Sequence, residues 1–159
     1  MGIPVVFAPT DGEMQAVIAA FAEMRAESVH SIEQLAGSLG VVPSDYRALF
    51  YVADNHDATP KAIAESLRLT TGAMTTLLDR IEAAGLVKRV AHPTDRRSIH
   101  LKITAKGQKG VDYGRARYTE AFVAAVPSEH RELIADVFTA LARELREVGD
   151  SAGNITRQK

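Results

Sequence analysis

The sequence contains no cysteine among its 159 residues, which excludes a disulfide scaffold, thiolate metal ligation and a cysteine-based redox switch. No apolar run approaches the roughly 20 residues that a membrane-spanning helix needs. The opening residues carry a short apolar patch without a basic segment before it, so we expect no secretory signal. The five histidines are scattered and lack the spacing of a metal site. We therefore expect a cytoplasmic protein that binds neither a metal nor another cofactor.

Signatures of catalysis are missing as well. Isolated serine, histidine and aspartate residues occur, but nothing in their spacing places a nucleophile beside a base. The sequence also has no phosphate-binding glycine loop and no internal repeat. We therefore predict that the protein is not an enzyme.

The length fits one domain, or one compact unit with an inserted subdomain, and with 46% hydrophobic residues the chain can bury a core. The net charge of -1 hides an asymmetry along the chain. Residues 1–58 carry 8 acids and 2 bases, residues 59–110 carry 4 acids and 10 bases, and residues 111–159 carry 8 acids and 7 bases. The basic middle indicates either a localised surface for a polyanion or charges that are merely scattered and solvated.

Hydrophobic periodicity predicts a mostly helical chain. Apolar residues at helical spacing indicate a first helix over about 11–40, opened by a capping-box pattern from Thr10 to Glu13. A second helix starts at Pro43 and stops near residue 55. Its predicted inner side consists of Tyr46, Leu49, Phe50 and Ala53.

Two shorter helices follow in the basic segment. Thr59 is placed to cap a helix that ends at Leu67. After a tight connection, Thr70 caps the next helix, which ends before a left-handed residue at Gly85. This is the order of a helix-turn-helix.

The period then changes from 3.6 to 2 residues, which predicts an antiparallel hairpin with strands over 86–90 and 98–103. Two further helices are predicted over 105–125 and 129–148, followed by a flexible tail over 149–159. The buried side of the first of these helices is predicted to contain Val111, Tyr118, Phe122 and Val126. The fold class is mostly α with a small β-hairpin wing, in which a winged helix-turn-helix lobe over about 43–104 joins a helical dimerisation region over about 11–40 and 105–148.

A winged helix-turn-helix has a geometry that suits duplex DNA. An α-helix fits the major groove and presents its N-terminal side chains to base edges. An arginine on a narrow tip can enter the minor groove, and Asp95 can brace such an arginine through an ion pair. Arg80 either contacts the DNA backbone or pairs with Asp79, Glu82 or a wing residue. The candidate DNA-binding residues are Lys61, Thr70, Thr71, Gly72, Thr75, Thr76, Arg80, Lys88, Arg89, Arg96 and Arg97.

The segment that carries these features reads TTGAMTTLLDRIEAAGLVKRVAHPTDRRSIHLKITAKG. It closely resembles the multiple antibiotic resistance regulator (MarR) family, through LDRIE at 78–82, GLV at 85–87 and PTDRR at 93–97. These motifs cover about a quarter of the chain, and the order of helices around them covers nearly all of it.

The resemblance implies a homodimer that reads a pseudo-palindromic operator, with one lobe on each half-site. It implies that Arg97 enters the minor groove, that Arg96 contacts phosphate, and that Thr75 and Thr76 face the bases. Many relatives carry a long basic or amide side chain near Thr76, so the base preference of a relative does not transfer. A monomer whose terminal helices pack on the lobe is the alternative.

The resemblance also implies a small aromatic or phenolic anion as a ligand, held between the dimer base and the lobe. Each candidate taken singly is better explained as an ordinary core or surface residue. Peroxide sensing through a reactive cysteine is excluded by the composition. The tentative ligand-binding residues are Met24, His30, Tyr46, Phe50, Tyr51, Tyr113 and Arg117.

The sequence therefore predicts a sequence-specific transcription regulator that acts as a ligand-responsive repressor. Two alternatives come from other classes of protein. One is a winged-helix protein-interaction module with an acidic partner, and the other is an architectural protein that binds DNA without sequence preference.

We predict that Arg97→Ala weakens specific operator binding by about 1–3 kcal/mol, because it removes a groove-reading guanidinium. The measurement is a titration of the operator at fixed salt, with a random duplex as the control for nonspecific binding. Unchanged operator affinity would remove Arg97 from the interface.

Overall fold

The computed structural model describes residues 12–91 and 99–155. Its elements follow one another in the order helix, helix, helix, helix, strand, strand, helix, 3-10 turn, helix. They are α1 (Gly12–Ser38), α2 (Pro43–Asp54), α3 (Pro60–Leu67), α4 (Thr71–Ala83), β1 (Val87–Ala91), β2 (Ile99–Ile103), α5 (Ala105–Ala125), a 3-10 turn (Ser128–His130) and α6 (Arg131–Ile155). The chain divides into two compact units, one ending at Gly114 and one beginning at Arg115. The mostly helical fold with a two-stranded wing is confirmed.

The turn between α3 and α4 is fixed by hydrogen bonds at both helix ends. The Thr59 hydroxyl accepts from the backbone N–H of Ala62 over 3.1 Å, which caps α3. Arg68 ends that helix in the left-handed region at φ 54°, a conformation that is uncommon for a residue with a side chain. The Thr70 hydroxyl then accepts from the N–H of Ala73 over 3.3 Å and caps α4. These contacts confirm both predicted caps.

The hairpin is antiparallel and is attached to the helices at its base. Val87 lies opposite Ile103, and Ala91 lies opposite Ile99. The N–H of Leu101 donates to the carbonyl of Ala58, before α3, over 2.9 Å. Each observed strand starts one residue later than predicted. Gly85 adopts φ 70° immediately before the hairpin, as its position after α4 predicts.

One hydrophobic core holds the first unit together. Every element from α2 to α5 contributes at least one side chain to it, so burial rather than helix propensity supplies most of the stability of these helices. The largest fully buried apolar side chains are Leu49, Ile63, Leu77, Ile81, Leu86, Leu101 and Val111.

Three glycines on one side of α5 let that helix approach its neighbours closely. A Cβ on Gly107 would collide with the carbonyl oxygen of Leu86 and would lie 2.9 Å from Ile103. Gly110 faces Leu39, which directly follows α1, and Gly114 faces the hydroxyl of Tyr46 on α2. This glycine face is absent from the sequence-based prediction, which relied on large apolar residues.

The inner face of α2 also differs from the prediction. Tyr46 and Leu49 are buried as expected, but Phe50 and Ala53 are only partly buried. Asp45, Ala48 and Val52 occupy the rest of the buried face. The error arises because an aspartate near a helix start looks like a solvent-exposed capping residue.

The second unit leaves most of its apolar side chains exposed. Within the described side chains of α6 none is buried. Phe122 on α5 packs edge-to-face with Phe138 at a ring-centroid distance of 6.3 Å, yet Phe122 is 47% exposed rather than buried as predicted. Of the other predicted inner residues, Val111 is buried, while Tyr118 and Val126 are partly buried. The last helix continues to Ile155, so the predicted tail at 149 begins too early.

We predict that Gly107→Ala lowers the free energy of unfolding by about 1–3 kcal/mol, because the new methyl group meets backbone rather than a movable side chain. Gly37→Ala is the matched control in another helix. It meets no atom within 4 Å, so it should be neutral or stabilise by up to roughly 1 kcal/mol. Denaturant unfolding at one protein concentration measures both, and equal effects would contradict the close approach at Gly107.

Candidate nucleic-acid interface

The first two turns of α4 present one uncovered face. Met74, Leu77, Leu78 and Ile81 bury the opposite side of the helix in the core. The candidate residues Thr70, Thr71, Gly72, Thr75 and Thr76 are all exposed. The N-terminal end of α4 also carries the partial positive charge of a helix dipole. This face is shaped to meet a groove with phosphates nearby.

Two hydroxyls on this face hydrogen-bond within the helix itself. Thr75 Oγ1 donates to the carbonyl of Thr71 over 3.1 Å. Thr76 Oγ1 donates to the carbonyl of Gly72, also over 3.1 Å. Threonine commonly makes this bond to the preceding turn. The hydroxyl hydrogens of both side chains are therefore engaged with the backbone.

Arg80 forms a two-pronged ion pair with Asp45, which ties α4 to α2. Its Nε donates to Asp45 Oδ2 over 2.8 Å and its Nη2 donates to Oδ1 over 2.6 Å. The Asp45 side chain is fully buried, whereas that of Arg80 is 43% exposed. The hydrogen bond from Arg80 to Asp45 raises the pKa of Arg80 further above its ordinary value, against an opposing effect of desolvation. The guanidinium is thus permanently charged and held in one orientation.

This partner of Arg80 was not among those that the sequence suggested. Asp45 lies 35 residues away along the chain, and no local pattern connects the two. The only local signal concerns Asp45 itself, whose Oδ2 also accepts from the N–H of Val42 over 3.5 Å at the start of α2. A burial pattern that placed an acid on the inner face of α2 would have predicted a cationic partner.

Arg89 braces the hairpin against α4. Its Nη2 lies 2.5 Å from Asp79 Oδ1, and its Nε lies 3.2 Å from Glu82 Oε2. The Glu82 carboxylate also accepts from the backbone N–H of Arg89 over 3.3 Å. Arg89 was predicted to contact DNA, but the structure places its guanidinium on two carboxylates of α4. In this arrangement Arg89 links β1 to α4.

The remaining basic candidates are spread over the lobe. Lys88 is exposed on β1 and lies opposite Lys102 of β2. Lys61 projects from α3 with its Nζ 3.9 Å from Glu65 Oε1. Asp95, Arg96 and Arg97 lie outside the described residues. These described lysines lie on α3, β1 and β2 rather than on α4.

The candidate ligand-binding residues lie on α1, α2 and α5. Tyr46 and Phe50 contact each other edge-to-face with centroids 5.0 Å apart, and Tyr51 is partly buried on the same helix. Met24 and His30 are exposed on α1. Arg117 belongs to the second unit, where it forms an ion pair with Glu120.

Tyr113 lines a cavity of about 470 Å³ between α1 and α5. Leu35, Leu39 and Gly110 form apolar walls, and Lys106 and Lys109 add positive charge. Lys106 Nζ also donates to the carbonyl of Ala84 over 2.8 Å. The sequence did not point to Lys106 and Lys109, because lysines one turn apart on a helix are common on solvent-exposed faces.

Neither a metal cluster nor a membrane span accompanies this face within residues 12–91 and 99–155. In that part of the chain, no group of three or more acidic, histidine or cysteine side chains could hold a metal ion. Among the same residues, no helix is both long enough and apolar enough to cross a bilayer.

Comparison with known proteins shows which family the central part of the chain resembles. The sequence model of the MarR family matches residues 39–98, which include α2 through β1. This match supports a MarR-family helix-turn-helix regulator. The chain is 30% identical over 79 residues to the HTH-type transcriptional regulator PrsX of Escherichia coli, covering 48% of this chain and 48% of that relative. It is also 30% identical over 90 residues to the organic hydroperoxide resistance transcriptional regulator of Bacillus subtilis, covering 54% of this chain and 61% of that one.

The chain thus spans about half the length of the curated relatives it matches. Solved MarR structures extend the likeness in fold to most of the chain. A regulator from Methanosarcina mazei superimposes with a TM-score of 0.64 at 14% identity, over 84% of this chain and 99% of that one. The MepR protein of S. aureus, in its DNA complex, gives a TM-score of 0.60 at 20% identity, over 79% of this chain and 96% of that one.

We predict that Arg80→Met destabilises the protein by roughly 2–4 kcal/mol, because it leaves the buried Asp45 carboxylate without its partner. The value lies towards the low end for buried pairs, since Arg80 is partly exposed to screening solvent. Denaturant unfolding at fixed protein concentration measures the loss.

Two further variants control this prediction. Combining Arg80→Met with Asp45→Asn removes the stranded charge, so the double variant should be more stable than Arg80→Met alone. Lys61→Met removes a cation from an exposed pair and should leave the free energy of unfolding nearly unchanged. A double variant less stable than Arg80→Met would contradict the assignment.

Proposed function

We propose that this protein is a DNA-binding transcriptional regulator that contacts its operator through α4 and the wing. The observation that carries the proposal is the uncovered N-terminal face of α4, capped by Thr70 and held on the core by four buried residues. An exposed helix start of this kind fits the major groove and attracts phosphate. The MepR structure, which is a complex with DNA, supports the same use of the shared fold.

We propose that the protein acts as a homodimer on a pseudo-palindromic site. Large apolar side chains are exposed on α1, among them Val17 at 60% and Ile18 at 52%. Others are exposed on α6, where Leu133 reaches 63% and Val137 reaches 52%. Apolar exposure of this extent is typical of a protein interface. A second copy of this chain would cover these apolar faces. It would also supply the second lobe that is needed to read the other half-site.

We further propose that the protein is a cytoplasmic repressor that releases DNA when a small aromatic or phenolic anion binds. The support is the cavity between α1 and α5, which combines apolar walls and the Tyr113 ring with Lys106 and Lys109. Such a lining suits a ring that bears a carboxylate or phenolate. A ligand that binds better to one conformation than to another would shift the population between DNA-bound and free forms.

A thiol-based peroxide response has no place in the proposal. One relative is named an organic hydroperoxide resistance regulator, but these 159 residues contain no cysteine. The proposal also assigns no catalytic step to the chain.

Selection of bound duplexes from a random pool, at low and at moderate salt, tests the proposal. We expect an inverted repeat with half-sites about 10 bp apart, because two related lobes meet the same face of the duplex. Affinity should fall steeply with salt, since binding releases counterions from the phosphates. Light scattering of the complex should give two chains per duplex.

Recovery of no motif, together with binding that vanishes at moderate salt, would contradict the proposal. The protein would then contact DNA only nonspecifically, and protein partners of the lobe would become the next candidates.

A further inference from the structure

The face of α4 that would enter the groove carries no side chain that usually reads bases by hydrogen bonds. From Thr70 to Leu78 the sequence is TTGAMTTLL. Direct readout relies mainly on arginine, lysine, asparagine and glutamine. Arg80, the first cation of the helix, is held by the buried Asp45. The groove would therefore meet methyl and hydroxyl groups.

Three of the hydroxyl groups on this face already form hydrogen bonds with the backbone of the helix. Thr75 and Thr76 donate to the carbonyls of the preceding turn. Thr70 accepts the N–H of Ala73 as the helix cap. Donation from Thr75 or Thr76 to a base would require breaking a bond that the folded protein already makes. Contact between a base and the methyl group of either residue requires no hydrogen bond to be broken.

Gly72 gives a second reason to expect close approach at the same turn. It is exposed, and a Cβ built on it would meet no atom of the protein within 4 Å. Packing inside the protein therefore does not require glycine here, although glycine weakens a helix. A missing side chain at this point leaves room for a partner surface to reach the helix backbone.

We propose that α4 recognises thymine through its C5 methyl group, by apolar contact with the methyl groups of Thr75 and Thr76. Thymine is the base that presents a methyl group in the major groove, and threonine methyls can pack against it. This inference rests on the proposed function, because it assumes that α4 enters the major groove. It deepens that function by naming the chemical group that sets the sequence preference.

The test compares two double variants on two versions of the selected operator. Thr75→Val/Thr76→Val keeps the methyl groups and removes the hydroxyls, whereas Thr75→Ser/Thr76→Ser keeps the hydroxyls and removes the methyls. In the second operator, deoxyuridine replaces the half-site thymines and removes only their C5 methyl groups. Valine, serine and threonine have similar helix propensities, and thermal unfolding checks that all three proteins fold equally well.

We expect deoxyuridine to weaken binding of the wild type by about fourfold for each thymine methyl group removed, the effect of one buried carbon. The valine variant should bind the thymine operator as well as the wild type or better. The serine variant should bind it more weakly, and deoxyuridine should not weaken its binding further. That non-additivity would show that the protein and thymine methyl groups touch each other.

Each contrary result has a distinct meaning. Wild-type protein that selects an operator but is indifferent to deoxyuridine overturns the methyl contact and leaves the proposed function intact. A valine variant that no longer binds while the serine variant still does overturns it too, because the hydroxyls would then read the bases. Wild-type protein that selects no operator overturns both this inference and the proposed function.

Discussion

The ion pair between Asp45 and Arg80 is the constraint on which the position of α4 depends. A fully buried carboxylate is costly unless it is paired and hydrogen-bonded, and this one has a two-pronged partner. Apolar packing alone would tolerate small rotations of α4, since hydrophobic contacts are non-directional. The fixed fork of the guanidinium admits far fewer arrangements. Asp45 on α2 therefore constrains the orientation of α4, and with it the direction in which the exposed face of α4 points.

Close backbone contacts at a glycine position α5 against the base of the hairpin. Gly107 allows α5 to pack directly against the backbone at Leu86, just before the hairpin. Thr104, which caps α5, donates to the carbonyl of Gly85 over 2.8 Å. The end of α4, the hairpin base and the start of α5 thus meet within a few residues. A displacement of α5 would reach the hairpin through backbone contacts, without passing through flexible side chains.

Local patterns predicted most of the fold, because caps, left-handed residues and changes of period act over a few residues. Thr59, Thr70 and Gly85 each confirmed such a pattern. Patterns of large apolar residues failed where burial depends on distant partners. They did not show that Asp45 faces inward, or that Phe122 remains exposed in a single chain. In the candidate site, residue types predicted the exposed threonines, but the internal partners of Arg80 and Arg89 required the tertiary structure.

The brace formed by Arg89 has a consequence for how the lobe would adapt to different DNA. With its guanidinium shared between Asp79 and Glu82, the first strand of the hairpin is fastened to the second half of α4. These ion pairs couple the orientation of the first hairpin strand to that of α4. If the lobe binds DNA as proposed, a change in groove width along the duplex would have to act on α4 and this strand together. Bending of the DNA, whose cost depends on sequence, would then contribute to discrimination at base pairs that the protein does not touch.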